Sequence, residues 1–358
     1  MSIEFSSRMR DVAPYPKAAI YAHGGDLIKL ASNETPWGPH AAVVDAIAAH
    51  GQSLNRYPDP SSSVLRGRLA ERYDLAPELI AVGNGSCDIL LAAAQALLEP
   101  GAEIVFAWPS FSMYPHLAAM TGARACAVSL TEDGFHDLDA MAREITAATR
   151  IVIVCNPNNP TATALPVAAI EEFAEQVPDH VALVIDEAYV EFNVLQDPDD
   201  SLSLLRRHRN VVLLRTFSKI YGLCGLRVGY ALCSEPFHDA VDRIRQPFSV
   251  NALAQAAAAE ALLHQDEVAR RVERTAIERL HVESELAARG LSTTQSQANF
   301  SWVAVEDEER ALSGLESRGV IVRSGDALGD PGHLRVTYGT RTDNDCFLAA
   351  LDDVLQEK

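Results

Sequence analysis

Lys219 lies in Thr216-Phe217-Ser218-Lys219-Ile220-Tyr221-Gly222-Leu223-Cys224-Gly225-Leu226-Arg227-Val228-Gly229-Tyr230, directly after an apolar run and eight residues before an arginine. A lysine held in such a Gly-rich turn and partly desolvated keeps enough neutral amine to condense with an aldehyde. Ser218 and Arg227 place a hydroxyl and a guanidinium beside it, a pair suited to a phosphate dianion. The chemistry these residues point to is capture of an aldehyde that also carries a phosphate. A Ser-Lys pair alone is as ordinary as any surface lysine after a strand, so the rest of the chain has to supply the companions. Asp186, in Val184-Ile185-Asp186-Glu187-Ala188-Tyr189, ends another apolar run. A carboxylate there can pair with a protonated ring nitrogen or cap a following helix, and the residues alone leave both roles open.

Three further segments follow apolar runs. Gly83-Asn84-Gly85-Ser86-Cys87-Asp88 opens a helix, which turns free N–H groups and a positive dipole end toward an anion. Asp88 stands where the third glycine of a dinucleotide fingerprint belongs, so that reading fails. Asn156-Pro157-Asn158-Asn159-Pro160-Thr161 is rich in turn formers and reads at minimum as a loop between strand and helix. Trp108-Pro109-Ser110-Phe111-Ser112-Met113-Tyr114 offers an aromatic platform. Nearer the C-terminus, Arg335 sits in Leu334-Arg335-Val336-Thr337-Tyr338-Gly339, where a guanidinium fork matches a planar carboxylate. Arg323, in Ile321-Val322-Arg323, is a second candidate for the same cleft or a surface residue.

In order and spacing these segments resemble the fold-type I pyridoxal-phosphate aminotransferases. The Ser-Lys-x-Tyr-Gly-x-x-Gly-x-Arg-x-Gly-Tyr form is similar to their histidinol-phosphate and aromatic amino acid branch. The likeness runs from Ala31-Ser32-Asn33-Glu34 to Leu334-Arg335, nearly the whole chain. It implies pyridoxal 5′-phosphate as cofactor, held by Lys219, which then acts as general base and acid at the substrate Cα. Gly85, Ser86 and Cys87 would form the phosphate cup with Thr216, Ser218 and Arg227, although Cys87 replaces the usual Asp or Asn. Asp186 would pair with the pyridine nitrogen, Tyr189 and Asn159 would bond the phenolic oxygen, and Phe111 would stack on the ring. The segment Asn55-Arg56-Tyr57-Pro58-Asp59 resembles one whose tyrosine reaches the phosphate of the other subunit, so Tyr57 implies a homodimer with shared active sites. Arg335, with Arg323, would take the substrate carboxylate, and Tyr15 and Asn33 would bring an N-terminal arm over it. Ala162 stands where glycine is usual after Asn159-Pro160-Thr161, a change expected to leave the role of Asn159 intact.

These residues require a rigid frame. From about Leu79 to Cys233, seven short aliphatic runs alternate with helical patterns: Leu79–Val82, Glu103–Ala107, Ala125–Leu130, Ile151–Cys155, Val181–Ile185, Val211–Arg215 and Val228–Cys233. Such alternation predicts an α/β fold, a three-layer domain with a mostly parallel seven-stranded sheet between helices. The motifs directly follow the runs, as functional residues do at the carboxyl edge of such a sheet. After Pro247 come an Ala-rich helix (Ala252–Leu263), a long amphipathic helix (Glu267–Arg289) and strands at Asn299–Val305, Val320–Arg323 and Leu334–Tyr338, a smaller α+β domain. The expected division is an arm over 1–40 packing on the small domain, a large cofactor-binding domain over 41–245 and a small C-terminal domain over 246–358.

With 358 residues, 48% of them hydrophobic, the chain has the composition of a globular protein. A formal net charge of −19 argues against nucleic acid and anionic membrane as partners. The first ten residues hold no apolar signal core, and no run approaches the about 18 apolar residues of a membrane helix. Six cysteines without a CxxC pair fit a reducing cytoplasm, and eleven histidines without HxxxH or HxH spacing suggest no metal site.

Substrate choice lies between an aromatic L-amino acid (phenylalanine, tyrosine or tryptophan), passed to a 2-oxo acid such as 2-oxoglutarate, and histidinol phosphate. Phe248, in Gln246-Pro247-Phe248-Ser249-Val250, stands where phosphate-reading relatives often have tyrosine, so an apolar wall replaces a hydroxyl. The segments Leu30–Gly38 and Ser296–Phe300 also resemble the aromatic or phenylalanine enzymes, and the aromatic reading is preferred. A decarboxylase on the same scaffold is the less favoured enzyme rival. A non-catalytic effector-binding domain, which would need an attached DNA-binding module before Ala31, is not expected.

Overall fold

The computed structural model describes residues 3–10, 12, 14 and 27–357. Tyr15 lies outside the described residues. A short 3-10 turn, Ser7–Arg10, rests on the large unit, where Arg8 Nη1 donates to Met120 O at 3.2 Å. The arm expected on the small domain therefore touches both units, because β1 (Ile28–Lys29) lies further on and pairs in the small one. Helices α1 (Ala41–His50) and α2 (Ser63–Tyr73) lead into the sheet.

The large unit runs β2 (Ile80–Gly83), α3 (Ser86–Leu97), β3 (Glu103–Trp108), α4 (Met113–Thr121), β4 (Arg124–Ser129), α5 (Leu138–Arg143), β5 (Thr149–Cys155) and α6 (Val167–Ala174). It continues through β6 (Ala182–Asp186), α7 (Leu202–Arg207), β7 (Val211–Thr216), β8 (Gly229–Leu232) and α8 (Glu235–Ile244). These seven strands form one sheet in the order β2-β8-β7-β6-β5-β3-β4, with β8 alone antiparallel to its neighbours. The fold class is the expected one, and the physical reason is visible in β5. Its run Thr-Arg-Ile-Val-Ile-Val-Cys is aliphatic on both faces, so both must be covered. Val152 and Val154 face a core shared with Leu183, Leu213 and Phe173, whereas Ile151 and Ile153 face Leu90, Leu117 and Val241. Burying each such side chain contributes about 1.5–3 kcal/mol.

The chain then forms α9 (Ala252–Ala261), α10 (Gln265–Ala288), β9 (Phe300–Ala304), α11 (Glu308–Ser317), β10 (Val320–Ile321), β11 (Arg323–Ser324), β12 (His333–Thr337) and α12 (Arg341–Gln356). Asn251 caps α9 by accepting from Ala254 N, and the alanines that follow are small enough to join the same buried core as Val43 of α1. Strands β11, β12 and β9 make an antiparallel sheet, and β1 runs parallel to β10. The single strand expected over Val320–Arg323 is thus two: β10 pairs with β1, β11 pairs with β12, and the chain changes partner at Val322. Leu30, just after β1, is buried with Val282, Val336, Phe347 and Leu351 in a separate apolar cluster. No described helix is long and apolar enough to cross a membrane.

Candidate active site

The carboxyl ends of β2, β3, β5, β6 and β7 lie along one edge of the sheet, and each releases one of the motifs there. Lys219 follows β7 and is half-buried. Its Nζ donates to Ser32 O at 3.1 Å and stands 5.6 Å from the centre of the Tyr189 ring. Burial, seconded by the Arg335 charge, lowers its pKa to about 8.

The anion cradle is built from glycine geometry. Gly85 takes φ 83° at the N-terminus of α3, and a Cβ there would fall 2.4 Å from Arg227 Nη2, so the backbone itself lies against the guanidinium. Arg227 Nη1 in turn donates to Ser218 Oγ at 3.2 Å, and Thr216 Oγ1 donates to the same oxygen at 3.0 Å. Helix N–H groups, a hydroxyl and a fixed cation converge, a donor set that fits a phosphate. Burial pushes the Cys87 thiol up, and the Asp186 charge adds to this, so the neutral side chain leaves its main-chain N–H as the useful group.

Asp186 is buried, accepts from Tyr114 Oη at 2.8 Å through Oδ2 and from Ala188 N at 3.3 Å through Oδ1. Burial raises its pKa to about 6, against the pull of the Tyr114 bond. The segment that follows is only the 3-10 turn Val190–Phe192, so the capping role finds no α-helix to cap. Phe111 meets Tyr114 edge-on with ring centres 5.7 Å apart, which ties the platform to the donor that serves Asp186.

A second set of groups comes from the small unit and from residues 31–33. Arg335, on β12, donates to Asn159 Oδ1 at 2.5 Å and to Ala31 O at 2.7 Å, with its guanidinium 5.4 Å from the Phe300 ring centre. Arg323 is its cross-strand partner on β11 and is likewise buried. Asn33, in a left-handed conformation with φ 53°, donates to Tyr189 Oη at 2.9 Å while Thr337 Oγ1 donates to its Oδ1 at 3.2 Å. Burial pushes the Tyr189 hydroxyl well up, so it stays protonated. Lys219, Tyr189, Asn33, Asn159 and Arg335 thus form one connected cluster. Tyr57 and Phe248 are brought to each other instead. They stack at 4.6 Å between ring centres, 82% and 40% exposed, and the apolar wall expected from Phe248 stands with Tyr57 and not among the bonded groups around Lys219.

Several contributors escape a reading of sequence. Tyr114 is signalled only by its place three residues after Phe111 at a helix start. The carbonyls of Ala31 and Ser32 have no side-chain signature. Arg215 and Glu187 flank Thr216 and Asp186 in sequence and so lie on the opposite sheet face, joined at 2.7 Å and both buried. The arginine also donates to Asp199 Oδ1 at 3.0 Å and to Tyr73 Oη at 3.1 Å. Their signal is a lone charge in the aliphatic run Val211–Arg215. A cavity of about 680 Å³ lined by Leu75, Leu97, Phe237 and Val241 lies near the starts of β6 and β7, so volume alone does not mark the site.

A covered, mostly parallel sheet with a desolvated lysine and an anion cradle at its carboxyl edge is the architecture of fold-type I pyridoxal-phosphate enzymes. The family model described as aminotransferase class I and II matches residues 25–351, and the chain belongs to that family. It is 43% identical over 346 residues to the aromatic amino acid aminotransferase of Thermobifida fusca (strain YX), covering 96% of this chain and 94% of the relative. It is 42% identical over 332 residues to the histidinol-phosphate aminotransferase of Moorella thermoacetica, covering 92% and 86%. The solved histidinol-phosphate aminotransferase of Sinorhizobium meliloti, in complex with pyridoxal-5′-phosphate, superposes with a TM-score of 0.90 at 27% identity over 99% of this chain and 98% of that one.

Proposed function

We propose that the chain is a pyridoxal 5′-phosphate-dependent transaminase for aromatic L-amino acids, with a 2-oxo acid such as 2-oxoglutarate as amino acceptor. The observation that carries the chemistry is Lys219, half-buried and with its pKa lowered to about 8, in one cluster with Asn159 and Arg335. When bound, the cofactor supplies an electron sink for the charge left as Cα loses its proton. Gly85, Ser86, Cys87, Thr216, Ser218 and Arg227 hold its phosphate, Asp186 its ring nitrogen, Tyr189 and Asn159 its phenolic oxygen, and Phe111 the ring face. Lys219 Nζ accepts the Cα proton as general base and returns it as general acid. Arg335, assisted by Arg323, binds the substrate carboxylate in place of its present carbonyl and amide partners, which fixes Cα over the amine. Asn33 steadies the Tyr189 hydroxyl. Tyr15, outside the described residues, keeps only the role that the resemblance implies.

The aromatic substrate is supported by the relatives of Thermobifida fusca, Cutibacterium acnes and Streptomyces coelicolor, all named aromatic amino acid aminotransferases at 40–43% identity. Histidinol phosphate is the second reading, favoured by the Moorella relative and the Sinorhizobium structure. Steady-state kcat/KM for phenylalanine against histidinol phosphate, with 2-oxoglutarate, decides between them. Phenylalanine is expected to win, and Phe248→Tyr to narrow the gap about fivefold through one added donor. A wide preference of the unmodified enzyme for histidinol phosphate replaces the substrate and leaves the cofactor and Lys219 untouched.

The active unit in this reading is a homodimer. Its support is the exposed Tyr57–Phe248 stack, with Tyr57, Val64 and Leu263 lining a groove beside Ala252 and Ala256, a surface a second copy would cover. All six cysteines are unpaired, which supports a reducing cytoplasm. The division at 40 and 245 is supported by separate sheets, while the large unit's apolar cluster also takes in Val250, α9, Ala298 and Phe300, so packing crosses the expected boundary at 245.

A further inference from the structure

Asn158 precedes Asn159 and its side chain is fully buried. Oδ1 accepts from Ser110 Oγ at 2.7 Å, and Nδ2 donates to Thr161 Oγ1 at 2.9 Å and to Pro109 O at 3.2 Å. Its main-chain N–H donates to Thr163 O and its carbonyl accepts from Ala162 N, both at 2.8 Å. One amide therefore joins the loop after β3, which carries Phe111, to the loop after β5, which carries Asn159. The joint extends further. Thr161 and Thr163 hydroxyls donate to Gly134 O at 2.9 and 2.7 Å, and Gln297 N donates to Ala162 O at 2.7 Å. Beyond Gln297, Asn299 Nδ2 donates to Asn33 O at 3.2 Å. His136 is buried beside Asn158, and burial holds its ring down to about 4, so it is neutral and adds no charge near neutral pH.

A turn between strand and helix does not need a fully enclosed asparagine with both its amide oxygen and its amide nitrogen bonded. We infer that Asn158, through Ser110, is a positioning residue that sets the separation between the Phe111 platform and the Asn159–Arg335 pair. This rests on the roles proposed above for Phe111, Asn159 and Arg335. Loss of the joint lets the platform and the carboxylate reader move independently, which costs reaction geometry more than substrate binding.

The test is a cycle of Ser110→Ala, Asn158→Ala and the double variant, each measured for kcat and KM with phenylalanine, visible circular dichroism of the bound cofactor, and thermal midpoint. Ser110→Ala removes one hydroxyl and keeps the inference testable if Asn158→Ala fails to fold. The expected result is a kcat about tenfold lower for Ser110→Ala with KM changed less than about threefold, together with a changed dichroic band. The double variant should be no worse than Asn158→Ala, because both remove the same joint. An unchanged band with kcat within about twofold, or single losses that multiply, overturns the inference. If the unmodified protein transaminates no amino acid, the enzyme reading itself falls. If it does and the variants match it, only the positioning role is lost.

Discussion

How much of Lys219 is a neutral amine decides whether the site can take up an aldehyde at all. At pH 7.5 about a quarter of amines with a pKa near 8 are neutral, against about one in a thousand for an ordinary lysine. Uptake of pyridoxal phosphate by the cofactor-free protein should therefore quicken with pH and level off near 8, followed by absorbance after rapid mixing. A rate still climbing tenfold per pH unit at 9.5 would identify an ordinary lysine. The stability consequence has a definite sign. The folded pKa lies below the unfolded value of 10.5, so between about 8 and 10.5 the unfolded chain holds the extra proton and stability of the cofactor-free protein rises with pH. Lys219→Ala should abolish both the visible band and transamination. Borohydride trapping on any other lysine would contradict the assignment. At this scale Lys219, Asp186, Asn159 and Arg335 were legible in the sequence, because each stands in or just after an aliphatic run with a motif around it. Asn158 was not, since a buried asparagine and an exposed turn asparagine are written with the same letter.

Among the elements, the loop after β5 carries an unusual conformation. Ala162 has φ 60° and is fully buried, in the left-handed region where a Cβ costs about 1–2 kcal/mol. Glycine would relieve that strain but lose a buried methyl, about 0.8 kcal/mol, and add unfolded-state freedom, about 0.5–1 kcal/mol. The terms nearly cancel, so Ala162→Gly should change stability in urea by less than about 1 kcal/mol and leave kcat unaltered. Behind the sheet, Arg215 is the opposite case. Removing it in Arg215→Met strands the buried Glu187 carboxylate, at about 3–5 kcal/mol, and adding Glu187→Gln should restore part of that loss. Equal destabilisation by single and double variants would mean that the ion pair is not what holds β6 to β7 there. The central strands were legible because aliphatic runs of strand length bounded by turn formers leave few alternatives. The break between β10 and β11 was not, because Val320 to Arg323 reads as one run and only the partners β1 and β12 divide it.

For the molecule as a whole, the proposed dimer would carry Tyr57, which one chain leaves stacked on Phe248 and exposed, to a neighbour's site. Mixing Lys219→Ala with Tyr57→Phe chains should create hybrids with one intact site, and activity should rise above both parents. Hybrids that form and stay inactive would refute sharing. One chain's sequence holds no direct sign of where a second copy sits, so the proposed sharing rests on resemblance alone. A different consequence follows from the acceptors of the two site cations. Ser32 O receives Lys219 and Ala31 O receives Arg335, and no codon change deletes a main-chain carbonyl. Mutational drift at these two positions can alter bulk and polarity while the acceptors persist, so a saturation library there should be filtered by the space around Ala31 and by the local backbone, not by side-chain chemistry. Before any substrate displaces them, Lys219 and Arg335 are thus held by main-chain acceptors, the part of the chain that mutation cannot rewrite.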